Sequence, residues 1–325
     1  MNSNNGFASE EEENFPNIVN VCVLRGSCTA KCIHCPLGLT PVEKRKNVFG
    51  DKTMSLTLFQ NIADEISQYN HSTLRIHSVG EPLLWHGLQE AVEYAKEKGV
   101  RTWLFTDLIT QDKKIVNALA RNCSIIEVSI NSIDKENYLK TKGVDSYEIV
   151  KQNIEDMHKL IKDENLKTRV LASRVESSDK EYDKRFTEFW KNKGIVSDSF
   201  IRSYHNYNGL VESKDQKEDA DNIIACCVHW TRFNIDCDGK VVVCFNELFN
   251  GPSPNPEFVL GDLNDELIKD IWHGEKLKSI RKAQLENNYG LIKFTKNICC
   301  SNCNYCQPLG TKRVTSEHQV RELKC

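Results

Sequence analysis

Three of the chain's 14 cysteines stand at a chemically specific spacing: Cys28, Cys32 and Cys35, within GSCTAKCIHCP, form C-x3-C-x2-C. Thiolates so placed can wrap three corners of a cubane iron-sulfur cluster and leave the fourth iron without a protein ligand. An open metal position is where chemistry is done. The competing readings are incidental or buried cysteines and a zinc site. Zinc takes four ligands, and His34, between Cys32 and Cys35, is badly placed to be one. A second set lies toward the C-terminus: Cys226 and Cys227, then Cys237 and Cys244 bounding CDGKVVVC, then Cys299, Cys300, Cys303 and Cys306 in ICCSNCNYCQ. A structural zinc ribbon is the bland reading of that set. Cys22 and Cys123 read as small core residues.

A scaffold has to bring these groups together, and the 325 residues are enough for one large domain or two unequal ones. The net charge of -3 gives no electrostatic case for a nucleic-acid or polyanionic-membrane partner. No apolar run approaches the roughly 18 residues that span a bilayer. The acidic start, MNSNNGFASEEEENF, has neither the basic nor the apolar part of a signal peptide, so the expected location is cytoplasmic. A reducing cytosol makes metal binding, not disulfides, the default use of clustered thiols. Residues 1–15 read as a disordered acidic leader. After it, strands are expected over 18–24, 73–79, 100–105, 125–130, 168–175 and 199–204. Amphipathic helices lie between them, such as SLTLFQNIADEISQY with Leu56, Phe59, Ile62, Ala63 and Ile66 at helical spacing behind a Ser55 cap. Six such units predict an α/β fold, a partial (β/α)6 TIM-like barrel over 16–210 with helices outside a parallel sheet. A polar stretch at 205–222 then leads to a hairpin signal at Asp238-Gly239. Two helical pieces, the last cysteines and a polar tail at 311–325 follow. A small iron-sulfur domain is expected over 211–310.

Taken together, the motifs resemble the radical S-adenosylmethionine (radical SAM) superfamily. GSCTAKCIHCP matches its three-cysteine signature. SVGEPLL looks like its Gly-Gly-Glu motif with Val79 in place of the first Gly, VSINSID like the ribose-contacting motif, and LASRVE ends the fifth strand. Each sits at the C-terminal end of an expected strand, where βα-barrel enzymes keep their active sites. The resemblance implies that Cys28, Cys32 and Cys35 hold a [4Fe-4S] cluster whose unique iron chelates the methionyl amino and carboxylate groups. It implies that one-electron reduction cleaves S-adenosylmethionine to a 5′-deoxyadenosyl radical, which abstracts a substrate hydrogen. By the same resemblance Gly80 admits the cofactor closely and Glu81 meets its amino group. Ser129 and Asn131 contact ribose or carboxylate, and Ser173 or Arg174 the carboxylate or substrate. The ordinary alternatives are a turn glycine, a surface glutamate and simple strand polarity. Strand three departs from the family pattern: it ends FTDLI where Thr-Asn-Gly is common, so Asp107 is expected to face the substrate.

The C-terminal block resembles the SPASM and twitch extensions that carry auxiliary clusters. The resemblance implies Cys226, Cys244, Cys300 and Cys303 as ligands of one auxiliary [4Fe-4S] cluster, with Cys227, Cys299 and Cys306 as rivals in register. A two-cluster version would recruit Cys237, Cys306 and Cys325. The expected reaction resembles that of aminocyclitol dehydrogenases: an alcohol carbon gives up hydrogen, a base takes the hydroxyl proton, and the auxiliary cluster accepts the second electron. Arg174 is the first candidate base by that resemblance, and Asp107, Glu176, His205 and Tyr207 are the others. The expected partners are a small-molecule substrate and an external low-potential electron donor such as flavodoxin or ferredoxin. The alternatives are a SPASM-type peptide-modifying enzyme, for which residues 1–17 are too short to form the usual leader-binding element, and a non-enzymatic iron-sulfur electron carrier.

Overall fold

The computed structural model describes residues 9–212, 226–286, 288 and 291–292. Strands β1 (Ile18–Arg25), β2 (Thr73–Val79), β3 (Thr102–Thr106), β4 (Ile125–Val128), β5 (Arg169–Val175) and β6 (Asp198–Arg202) pair in parallel, each with the next. Helices cross between them, so the α/β half-barrel expected from the sequence is present. β6 is an edge strand, and the barrel is open. The helix Leu56–Ile66 shows why the periodicity was informative. It buries Leu58, Phe59, Ile62, Ala63 and Ile66 against the sheet, and the Ser55 hydroxyl accepts the Leu58 N–H at 3.2 Å as its cap. A cap of this kind contributes about 1 kcal/mol. No helix among the described residues is long and apolar enough to cross a membrane.

Two features depart from expectation. The leader is ordered from residue 9: Ser9 and Glu12 form a capping box at the start of a short helix, Glu10–Asn14. Phe15 behind it is fully buried and stacks on Tyr69 with ring centroids 3.9 Å apart. The Trp272 indole N–H donates to Glu12 O at 2.9 Å. Burying one such aromatic stabilises by roughly 1.5–3 kcal/mol, enough to hold a short acidic segment that has little propensity of its own.

The second departure joins the two halves of the chain. Strand β7 (Arg232–Ile235) pairs in parallel with β1, and β8 (Lys240–Val242) and β9 (Val259–Asp262) continue antiparallel. One sheet therefore runs β6-β5-β4-β3-β2-β1-β7-β8-β9. The hairpin at Asp238-Gly239 is found, with a different turn. Asp236 N–H donates to Lys240 O and Gly239 N–H to Asp236 O, so the loop is Cys237–Gly239, and Gly239 takes φ +91°. A turn closed by a left-handed glycine is the three-residue hairpin form, not the two-residue one.

Candidate active site

The loop after β1 carries Cys28, Cys32 and Cys35 and folds back on itself: a Cβ at Gly38 would lie 2.2 Å from Cys32 O. The helix Lys135–Lys142 latches it from outside. Lys31 N–H donates to Lys142 O at 2.8 Å, and Ile33 N–H to Thr141 O at 3.1 Å. Arg45, fully buried, donates to Cys28 O at 3.1 Å. The three thiols line one cavity of about 450 Å³ at the C-terminal ends of the strands. That volume falls within the range of small-molecule and cofactor sites, about 300–1,000 Å³. Burial pushes the Cys28 and Cys35 thiols up, the latter to about 11. Thiolates are stable there only with a cation to compensate them, which fits a metal cluster held by these three residues.

Gly80, Glu81, Asp107, Ser129, Asn131 and Ser173 line the same cavity. A Cβ at Gly80 would lie 2.1 Å from Ser27 O, so β2 and the cysteine loop touch there. Glu81 is buried with one acceptor site to spare on Oε2: Oε1 accepts the Thr106 hydroxyl at 2.6 Å and Leu83 N–H at 3.1 Å, and Oε2 accepts Asp107 N–H at 2.7 Å. Burial, and then the Asp107 charge, hold the Glu81 carboxyl well above its ordinary range. Asp107 accepts the Thr29 hydroxyl at 2.5 Å, tying strand three to the cysteine loop. Lys142, buried, reaches across to the Ser129 hydroxyl at 3.0 Å. Two buried carboxylates beside one buried ammonium suit a ligand that is itself both cationic and anionic. The Tyr138 hydroxyl, one turn before Lys142, is buried with no hydrogen-bond partner. Replacing Gly80 with alanine is expected to force β2 from the cysteine loop and to weaken S-adenosylmethionine binding at least tenfold. Equilibrium dialysis of the reconstituted protein measures this, and unchanged affinity would show the contact to be yielding.

Arg174 is a correction. Strand side chains alternate, and β5 turns Ser173 and Val175 to the cavity, so Arg174 faces the helix layer. There its Nε meets Asp183 Oδ1 at 2.8 Å, Nη1 donates to Asn131 O, and Nη2 donates to the Ser177 hydroxyl at 3.2 Å. It braces Asn131, which sits at φ +59° and accepts Val175 N–H at 2.7 Å. Glu176 does not line the cavity either, whereas His205 and Tyr207 do.

Sequence reasoning missed the cavity floor. Arg75, Glu127, Arg202, Asn20 and Asn234 project inward from the strands. Arg202 meets Glu127 with two contacts of 2.5 Å. Arg75 lies 4.1 Å from the Phe105 ring centroid. The signal was present in IVNVCVL, TLRIHSV and IIEV: a charged or amide side chain in the middle of a strand of a parallel sheet, where both faces are normally apolar.

Cys226 and Cys244 open onto the same cavity as the first three cysteines. Cys227 is buried. Cys299, Cys300, Cys303, Cys306 and Cys325 lie outside the described residues. Trp230, after Cys226, is buried, its indole N–H donating to Gln284 Oε1 at 2.7 Å.

A model of the radical SAM superfamily matches residues 23–180, and one of the iron-sulfur cluster-binding SPASM domain matches 226–307. The S-adenosyl-L-methionine-dependent 2-deoxy-scyllo-inosamine dehydrogenase of Niallia circulans is 24% identical over 284 residues, covering 86% of this chain and 90% of that protein. Among solved structures, BtrN in complex with AdoMet and 2-DOIA superposes with a TM-score of 0.55 at 17% identity, over 89% of this chain and 93% of the other. Streptococcus suis SuiB bound to precursor peptide SuiA gives 0.63 at 15% identity, over 90% and 70%. Both likenesses are of fold.

Proposed function

Since the chain belongs to the radical SAM superfamily and carries a SPASM iron-sulfur domain, we propose that this oxidoreductase oxidises a carbinol of a sugar- or aminocyclitol-like small molecule to a ketone. The observation that carries the reading is the shared cavity: Cys28, Cys32 and Cys35 line one part of it, and Cys226 and Cys244 another. The relative's dehydrogenase activity supports the same class of reaction. When bound, the first cluster with S-adenosylmethionine supplies a hydrogen-atom acceptor by one-electron chemistry, and an auxiliary cluster supplies a sink for the electron left on the substrate.

The chain's own residues have four tasks in this reading. Cys28, Cys32 and Cys35 hold the first cluster, and Cys226 and Cys244, with Cys300 and Cys303, the auxiliary one. Glu81 and Asp107 take the methionyl amino group, and Gly80 gives it room. Lys142, Ser129, Asn131 and Ser173 face its carboxylate and ribose. The floor, with its Arg202–Glu127 pair, offers a hydroxylated substrate both donors and acceptors. The hydroxyl proton goes to His205 Nδ1 as it gives up the Tyr207 N–H that it accepts at 3.0 Å, while Nε2 lies 3.3 Å from Asn246 Nδ2, two residues beyond Cys244. A modest base suffices once the carbon has lost its hydrogen.

The test is a polyol or aminocyclitol deuterated at the carbinol carbon, incubated anaerobically with reconstituted protein, dithionite and S-adenosylmethionine. Deuterium is expected in 5′-deoxyadenosine, with about one ketone formed per cofactor consumed. Epimerised alcohol without net oxidation would point to a different radical outcome. Deuterium transfer only from a labelled peptide would move the enzyme to the peptide-modifying class.

A further inference from the structure

Behind the cavity wall, packed in one cluster with Cys28 and Cys35, the junction of β1 and β7 holds a second constellation of soft and hard donors. Cys22 lies on β1, and Asp236 and Cys237 open the loop after β7. All three are buried, at 0%, 0% and 3% exposure. Two sulfurs and a carboxylate oxygen lie within 4.8 Å of one another. The sulfurs are 3.7 Å apart. Two thiolates bound to one tetrahedral zinc at about 2.3 Å are separated by about 3.8 Å, so the pair already stands at the edge length of such a site.

The surroundings are those of a supported ligand. Asp236 Oδ1 is held at 2.8 Å by Arg25, a guanidinium with no exposure that also donates to Phe49 O, Leu248 O and Gly251 O. Asp236 Oδ2 is buried with no hydrogen-bond partner. A carboxylate with one oxygen fixed by a guanidinium and the other free is oriented for monodentate ligation, as outer partners of metal ligands commonly arrange. Charge selects the ion. Two neutral thiols, Asp236 and Arg25 sum to zero; exchanging both thiol protons for one divalent cation keeps that sum at zero. A monovalent ion held by both thiolates would leave a buried negative charge, which is costly.

We propose that Cys22, Asp236 and Cys237 form a structural site for a single divalent soft cation, zinc by ligand type, that pins β1 of the barrel to the β7–β8 hairpin. Leu24 O, which accepts the Cys22 thiol at 3.3 Å, is freed as a fourth donor when that thiol loses its proton. Binding releases two protons and changes no oxidation state.

The test uses the full-length, anaerobically purified holoprotein. Elemental analysis after passage through chelator is expected to give about one zinc per chain, and zinc-edge X-ray absorption to show two sulfur and two oxygen neighbours. In a Cys22→Ser, Cys237→Ser variant zinc falls at least fivefold while iron content holds. Asp236→Asn, which keeps the side-chain shape, loses zinc to chelator at least tenfold faster. Zinc below one-fifth per chain in the parent overturns the proposal. So does zinc with four sulfur neighbours, which would place it among the cysteines of the auxiliary set, and so does a parent mass showing a Cys22–Cys237 disulfide. The parent spectrum decides even if the double variant does not fold.

Discussion

Alanine at Cys28, Cys32 and Cys35 together lowers cleavage of S-adenosylmethionine by well over a hundredfold and removes about four of about eight irons. Loss of a residue that merely supports a metal ligand already costs about 10–100-fold, and this variant removes the ligands themselves. The two readouts are 5′-deoxyadenosine and iron per chain. Cys123→Ala, which touches a buried core thiol, is the control and leaves both unchanged. Cys244→Ala divides the roles differently. It loses the auxiliary irons and ketone formation, yet it still cleaves cofactor when dithionite supplies the electron. A triple variant that cleaves cofactor at the parental rate would end the assignment of these three residues.

Asp183→Ala has the largest expected effect on stability. Arg174 and Asp183 form an ion pair with side-chain exposures of 5% and 6%. Removing one partner leaves a buried charge uncompensated, which costs about 3–5 kcal/mol. Thermal unfolding followed by circular dichroism should fall by on the order of 10 °C. Because Arg174 also donates to Asn131 O, the β4 end loosens with it, and S-adenosylmethionine affinity falls in parallel. A catalytic Arg174 predicts an added effect: Asp183→Asn would change the pH profile of turnover as well as lower the melting temperature.

The error at Arg174 has a physical origin that was readable. Parity along a strand was enough to put Ser129 and Asn131 together, and the same parity puts Ser173 and Arg174 on opposite faces. Resemblance at a strand end says which loop faces the cofactor, not which side chain. The cysteine loop and the strand ends were readable because spacing and periodicity are local. The ordered leader was not, because Phe15 finds Tyr69 more than fifty residues away. The pairing of β7 with β1 was hidden for the same reason: it joins segments about two hundred residues apart. His34 and Lys142 illustrate the middle case. Both line the cavity, yet a lone polar residue near a motif carries no signal until the helix that latches the loop is known.

That β1–β7 ladder has a mechanical consequence. A linker between two iron-sulfur modules would let them swing, and electron tunnelling, which decays steeply with distance, would be gated by the swing. Four registered residue pairs from Ile18–Arg232 to Val21–Ile235 make the halves one girder instead. The separation of Cys28, Cys32 and Cys35 from Cys226 and Cys244 is then a property of a hydrogen-bonded sheet, and exchange of the β7 amides with deuterium should be as slow as that of the barrel strands beside them.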